Sequence, residues 1–370
     1  MTNTLECDIM SGIKFIRPLD KFQPPTKCWC RPSGLGVDTG CMRQLLINSF
    51  FRHDGMYESS HTKFGSALGA ACAALVQHYD LPQWKRMAIA YDAARKHFQP
   101  SDDFMGKTWS KLWRCMRLFD AQWAYKHKAR WLFHSAEVKT TLKITEVGFS
   151  NRYLTGAYDL KVYRKVNNSI EYKIIDFKAV SSLYYYNYET DTQTPIYMLL
   201  DYIAGVAKGE HRSYSLPEYC VFELGKDDIK LDMIITPVLP TVISTSLFGS
   251  LATHRLACQY GTQLGMMVKQ DSNSLNALWD SIPASISQCK RGAFKCFQYS
   301  VCHEGQPINF DVPRYYDDSD LGLHIMLTSS ELTQLTHDLA AKFATQETIS
   351  NSQDTLDDFG GFTLDELLGD

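Results

Sequence analysis

The sequence of 370 residues holds no apolar run long enough to cross a bilayer, so a membrane-spanning protein is not expected. Its start, MTNTLECDIMSGIKF, lacks the basic opening and apolar block of a secretion signal. A cytoplasmic location follows as the expectation, the host cytoplasm if the source is viral. In that reducing setting the eleven cysteines do not read as a disulfide framework. Cys72, inside the apolar stretch GAACAALV, reads as an ordinary buried thiol. No G-x-x-x-x-G-K-S/T loop is present, which excludes a built-in P-loop motor. An excess of either charge is missing as well: 38 Lys and Arg against 41 Asp and Glu leave a net formal charge of −3.

That small charge is unevenly spread. The last stretch, DTLDDFGGFTLDELLGD, carries Asp354, Asp357, Asp358, Asp365, Glu366 and Asp370 and no base, and setting these six aside moves the charge from −3 to +3. A body so weakly basic is compatible with a polyanionic partner without demanding one. Lys and Arg do cluster in KLWRCMRLFDAQWAYKHKARW, residues 111–131, among aromatics. An amphipathic helix with its aromatics inward and a nucleic-acid surface both account for that stretch.

What the chain has is the composition of a globular protein, 45% hydrophobic, 12% aromatic and 21% charged. Residues 1–40, with Pro18, Pro24, Pro25 and Pro32 and the glycines of SGLGVDTG, predict an irregular entry. From 41 to about 130, GCMRQLLINSFF, FGSALGAACAALVQHYD, PQWKRMAIAYDAARKHF and SKLWRCMRLFDAQWAYK repeat apolar residues every three or four positions and predict helices. Between 137 and 180, EVKTTLKITEV, RYLTGAYDLKVY and EYKIIDFKAV predict a strand meander. QTPIYMLLDYIAGVAKG predicts a helix with Pro195 in its first turn, YCVFELGKDDIKLDMIITPV a further strand pair, and 243–287 more helix. The Ser-, Asp- and Gly-rich segment 346–370 offers too little apolar surface to offset its ordering entropy and predicts a disordered acidic tail. Phe359, Phe362, Leu364 and Leu367 in that tail also suit docking on a basic groove of a partner.

Asp159 and Asp176 stand on neighbouring predicted strands. Strand side chains alternate faces, so Asp176 and Lys178 project to one side and Phe177 to the other. Paired carboxylates suit a hard divalent cation such as Mg²⁺, which lowers the pKa of bound water and neutralises charge on a phosphoryl oxygen. A nearby ammonium orients that water and contacts the scissile phosphate. An acid two residues before a lysine is also a common solvated ion pair, but Asp176 sits among Ile174, Ile175 and Phe177, where a carboxylate needs a partner or a metal. Gln193 and Tyr197 lie four apart, on one face of the next helix.

The combination GAYD … IIDFK … QTPIY resembles the RecB-like branch of the PD-(D/E)xK nuclease superfamily, over roughly residues 30 to 305. The resemblance implies an α/β fold: a restriction-endonuclease-like core with a central mixed sheet flanked by helices and a helical N-terminal portion. It implies Asp159 and Asp176 as metal ligands for Mg²⁺ or Mn²⁺, with the Phe177 carbonyl and Glu137 as further ligands. Lys178 would be the catalytic lysine, and Gln193 and Tyr197 would line the site and position the substrate backbone. One departure stands out. Many relatives carry a metal-binding histidine in a G-x-x-x-H pattern, and in GSALGAAC that position is Gly69; His61, His78 and His134 are out of register.

CKRGAFKCFQYSVC places Cys289, Cys296 and Cys302 at C-x6-C-x5-C, and four thiolates hold either an iron–sulfur cluster or tetrahedral zinc. By the same resemblance, one N-terminal cysteine, here Cys41, joins three C-terminal ones around a [4Fe–4S] cluster. Cys28 and Cys30 compete for that place, and the first C-terminal gap is longer than the usual C-x2-C.

These readings give an irregular segment 1–40, a nuclease domain 41–345 and a tail 346–370. The expected activity is Mg²⁺-dependent hydrolysis of DNA phosphodiesters, with exonuclease favoured over endonuclease by family analogy. The expected setting is replication or recombination in a phage or mobile element. Expected partners are DNA and, through the tail, a helicase, polymerase or single-strand-binding protein. The alternative is a weakly active or inactive DNA-binding or replisome scaffold that kept the fold.

Overall fold

The computed structural model describes residues 60–103, 106–126, 131–145, 152–166, 169–182, 188, 191–226, 228–238 and 323–350. Shorter described pieces are 14–15, 28–30, 42–43, 247, 252–253, 256, 259–260, 263, 281–282, 290–291, 294–295 and 307–308. The helices expected over GCMRQLLINSFF and over 243–287 fall almost entirely outside these residues; of the tail expected to be disordered from 346, residues 346–350 are helical and the remainder lies outside the described residues.

Two compact units divide the chain. One gathers Met1–Tyr57, Thr141–Thr155 and Ser244–Leu332; the other gathers Glu58–Thr140, Gly156–Ile243 and Thr333–Asp370. The described strands, in chain order, are β1 (Lys14–Phe15), β2 (Cys28–Cys30), β3 (Leu132–Thr145), β4 (Arg152–Val166), β5 (Ser169–Val180) and β6 (Ser213–Tyr214). They continue with β7 (Glu218–Leu224), β8 (Ile229–Ile235), β9 (Lys290–Arg291), β10 (Phe294–Lys295), β11 (Pro307–Ile308) and β12 (Leu323–Thr328). The described helices are α1 (Ser60–Gln77), α2 (Gln83–Arg95), α3 (Trp109–Lys126), α4 (Gln193–Ala207) and α5 (Ser329–Ser350).

Among the described residues the main sheet runs β12-β3-β4-β5-β7-β8, with β2 beside β4 and β6 beside β5. It is mixed: β4 and β7 flank β5, the first antiparallel and the second parallel, and β7 pairs antiparallel with β8. Helices flank it, which is the restriction-endonuclease-like arrangement expected from the sequence. β3 and β4 pass from one unit into the other. The first unit also holds two small pairs, β1 with β11 and β9 with β10.

In the second unit the helices follow their sequence periodicity. Helix α1 buries Phe64, Ala67, Leu68, Ala71, Cys72 and Leu75, a stripe at three- and four-residue spacing. Helix α3 turns Leu112, Cys115, Met116, Phe119 and Trp123 into the same core. There the Phe119 ring meets Phe177 of β5 edge-on at 5.4 Å. Helix α4 differs, being buried all round from Gln193 to Gly205. It closes at Gly209, whose φ of +73° suits the left-handed cap that glycine adopts without strain. There the Glu210 N–H bonds the Gly205 carbonyl at 2.9 Å.

Strand β12 and helix α5 were not expected from apolar periodicity. Their junction nevertheless carries a readable signal, T-S-S-E. Thr328 N–H donates to Glu331 Oε2 at 2.7 Å and Glu331 N–H donates back to Thr328 Oγ1 at 3.2 Å, a reciprocal cap on the helix start.

Charge is also buried where α4 meets the sheet. Lys161 of β4 is 1% exposed and pairs with Asp201 of α4 at 2.7 Å. Arg212 reaches the other oxygen of Asp201 at 2.9 Å, and the Tyr214 hydroxyl donates to Oδ2 at 2.5 Å. One carboxylate thus satisfies two cations and a phenol. Removing it leaves the buried Lys161 uncompensated and Arg212 held by Glu210 alone, so Asp201→Ala should lower the unfolding free energy by about 3–5 kcal/mol. A urea unfolding curve that keeps its midpoint would refute this role.

Candidate active site

The β4–β5 ladder runs from Val166↔Ser169 to Leu160↔Ile175. One step further, Asp159 stands opposite Asp176, and there the pairing changes character. The Phe177 N–H is taken by the Asp159 carboxylate at 2.7 Å instead of by a backbone carbonyl. On its other edge β5 stays fully paired, with Asp176↔Tyr219, Phe177↔Cys220 and Lys178↔Val221. β5 therefore carries its acid and its lysine at a rigid position beside an opening in the ladder.

Asp176 is 1% exposed, and its Oδ2 lies 2.5 Å from the Lys178 ammonium. Apart from that ion pair, this buried oxygen has no hydrogen-bond partner. Burial, then the charge of Asp176, pushes the Asp159 carboxyl well above the ordinary range; Lys178 and the Phe177 N–H pull against them, and Glu137 adds to the rise. Asp176 is raised by burial against the pull of Lys178, with Asp191 adding to the rise. Burial alone would lower Lys178, but Asp176 and Asp159 outweigh it and hold the ammonium above its usual range. The site is a crowd of carboxyls around one firmly protonated lysine.

Helix α4 supplies the next wall. Gln193 Nε2 donates to the Tyr197 hydroxyl at 2.8 Å, one helical turn on. Burial, then Asp176, raises the Tyr197 phenol, with Asp159 and Glu137 contributing, so it stays neutral. The β3 residue Glu137 faces the same group of charges: burial and Asp176 raise its carboxyl. Its φ of +52° is the one left-handed non-glycine backbone among the described residues. Such a conformation costs on the order of 1–3 kcal/mol and concentrates at functional sites.

Asp159, Asp176, Phe177, Lys178, Gln193, Tyr197 and Glu137, all singled out in the sequence, thus come together. Gly69 of α1 comes with them. A Cβ built there would lie 3.9 Å from Cγ and Oδ2 of Asp159. The helix backbone passes beside the acid with no side chain between. His134 does not join the site; it packs edge-on to Tyr172 at 5.2 Å, near Lys161 and Arg212. Cys41, Cys289, Cys296 and Cys302 lie outside the described residues. Cys72 is buried, as expected, and burial raises its thiol well above the usual range.

Sequence reasoning missed Asp191. It accepts the Gln193 N–H at 2.9 Å and bears electrostatically on Asp176 and Lys178. Its signal was an acid two residues before Gln193, at the mouth of the predicted helix.

The donor set suits a hard cation. Two carboxylates from adjacent strands repel each other in a buried place, and a divalent ion would relieve that repulsion. Among the described residues no three His, Cys, Asp or Glu side chains form a ready-made chelate.

Residues 49–209 match the family model described as the PD-(D/E)XK nuclease superfamily, a span holding every residue of the site. No curated protein matches the chain. Among solved structures the chain is similar to one titled "Crystal structure of SSO0001", at 13% identity over 63% of this chain and 79% of that chain. The TM-score of that superposition is 0.22, too low to transfer any residue correspondence.

A carboxyl whose pKa is raised by folding keeps its proton longer in the native state than in the unfolded chain. Native stability therefore falls as pH climbs from the ordinary aspartate value, about 3.9, through the folded value. In metal-free buffer Asp159→Asn should melt above the parent at neutral pH, with the gap closing in acid. A variant that melts below the parent at neutral pH would contradict the repulsive reading.

Proposed function

We propose that the chain is a metal-dependent DNA nuclease of the PD-(D/E)xK type, of the RecB-like branch, acting as an exonuclease. The family match over 49–209 points to a nuclease. The observation that carries the finer reading is the meeting of Asp159, Asp176 and the charged Lys178 where the β4–β5 ladder opens. Asp159 and Asp176 would hold Mg²⁺ or Mn²⁺, with Glu137 and the Phe177 carbonyl as further ligands. Bound there, the ion would supply Lewis-acid neutralisation at the scissile phosphate and lower the pKa of water.

The chain's own groups do the rest. Lys178, kept charged by Asp176 and Asp159, sets its ammonium against the non-bridging phosphate oxygens, where negative charge grows as water bonds to phosphorus. The bond to the leaving sugar oxygen breaks, the attacking water gives up one proton to solvent, and solvent returns one to the leaving oxygen. The Tyr197 oxygen already accepts from Gln193, which leaves its own proton free for a backbone phosphate of the substrate. The tight fit of Gln193 and Tyr197 in a buried first turn fixes that donor before substrate arrives.

Further parts of the proposal rest on sequence. Cys41, Cys289, Cys296 and Cys302 would hold a structural [4Fe–4S] cluster joining the ends of a nuclease domain spanning 41–345, preceded by an irregular segment 1–40. The acidic tail 346–370 would dock on a helicase, polymerase or single-strand-binding protein during replication or recombination of a phage or mobile element.

A second reading has its own observation. Gly69 puts no side chain beside Asp159, where related sites carry a histidine, and a non-catalytic DNA-binding scaffold would tolerate that loss.

Linear single- and double-stranded DNA incubated with Mg²⁺ or Mn²⁺ separates the two readings. The parent should degrade both ends-bearing substrates while sparing circular DNA, and Asp176→Ala or Lys178→Ala should each be slower by about 10²–10³-fold. Degradation at the parent rate by both variants would end the catalytic assignment, and inertness of the parent itself would favour the scaffold. The cluster predicts a brown, iron-containing protein when purified without air; a colourless, iron-free preparation removes it.

A further inference from the structure

Helices α2 and α3 enclose an open groove of about 850 Å³ on the second unit, lined by Trp84, Met87, Tyr91, Trp109, Trp113 and Arg117 among others. We propose that this groove is a stacking platform for single-stranded nucleic acid. The choice of partner class rests on the nuclease reading; the platform itself rests on the groove.

Most of the aromatic, basic helix α3 is explained by packing, since Phe119 and Trp123 lie in the core. Packing does not explain the other stripe of the same helix. Trp109, Trp113 and Arg117 recur every four residues on the groove side, and Trp113 is 37% exposed. Facing them on α2, Trp84, Ala88, Tyr91 and Arg95 follow helical spacing, and Trp84 is 73% exposed. Folding normally removes so much indole surface from water.

The groove is preformed. Tyr91 meets Trp109 edge-on at 5.1 Å and Trp113 at 6.2 Å, which fixes the ring planes. At the other end, Arg86 Nη2 and Gln83 Nε2 both donate to Asp120 Oδ2, at 2.9 and 3.1 Å, clamping the start of α2 to the last turns of α3. The exposed indoles Trp84 and Trp113 can accept any base, because every base has a π-face.

Charge selects a polyanion over an apolar peptide. Arg117 lines the groove and Lys85 lies beside Trp84. Both are exposed, and neither has an ion-pair partner among the described residues. Arg95 sits over the Tyr91 ring at 5.9 Å. Against these cations stands one lining acid, Asp92. From Trp84 to Arg95 the helix extends about 16 Å, room for a few nucleotides.

The start of α3 is also tied to the end of β5. Two residues before Trp109, Lys107 donates to the carbonyl of Ala179, the residue after Lys178, at 3.3 Å.

The test uses full-length Asp176→Asn protein in metal-free buffer, so that binding is read without cleavage, and the anisotropy of a labelled oligothymidylate. Trp84→Ala and Trp113→Ala should each weaken binding by about 5- to 150-fold, the span expected for losing one base stack. Arg117→Ala should reduce the salt slope by about one phosphate contact. Thermal melts check that each variant is folded. Unchanged affinity in the folded tryptophan variants overturns the platform, and so does failure of the full chain to bind the oligonucleotide. Self-association that Trp84→Ala abolishes, with oligonucleotide affinity intact, assigns the groove to a second copy and overturns it as well. Binding that depends on the tryptophans in a protein that never cleaves DNA leaves the platform standing and removes only the nuclease reading.

Discussion

A single hydrogen bond sets the geometry of the site: the N–H of Phe177 donated to the carboxylate of Asp159. Every backbone donor in a buried strand needs a partner, and here the partner is a side chain of the neighbouring strand. That substitution ends the β4–β5 ladder without leaving an orphan. It also fixes the Asp159 carboxylate beside the backbone between Asp176 and Lys178. Parallel pairing with β7 continues past the same point, so β5 is held on one side while the other opens. Opening, acid pair and lysine share one cause.

The energetic character of the site follows from that crowding. Burial and mutual repulsion oppose ionisation of Asp159, Asp176 and Glu137, and Lys178 answers only part of the repulsion. The strained backbone at Glu137 adds a further cost. A fold tolerates such a place when the remainder over-determines it, as the aromatic core around Phe119 and the Lys161–Asp201–Arg212 group do here.

Much of this was legible in the sequence, for definite reasons. Period-two alternation placed Asp176 and Lys178 together, and the four-residue spacing of Gln193 and Tyr197 put them within one hydrogen bond. The helices α1, α2 and α3 and the strands β4, β5, β7 and β8 follow their apolar periods. What was not legible depends on register and on distant pairing. No pattern announces that Asp159 rather than a carbonyl will receive Phe177 N–H, that Glu137 will turn left-handed, or that Asp191 will come close enough to Lys178 to act on it. Lys161 looks like any strand lysine until Asp201, forty residues later, meets it. Periodicity likewise could not divide the aromatics of α3 into the buried Phe119 and Trp123 and the exposed Trp113. The cap T-S-S-E at the start of α5 was readable, but no apolar stripe drew attention to it.

The central claim is that the two aspartates share one cation. Calorimetric titration of Mn²⁺ into the parent, Asp159→Asn, Asp176→Asn and the double variant measures this directly. The account predicts a binding event in the parent that either single substitution removes, with the double variant no worse than each alone. Binding that survives both substitutions together, or that each substitution reduces independently, would contradict it.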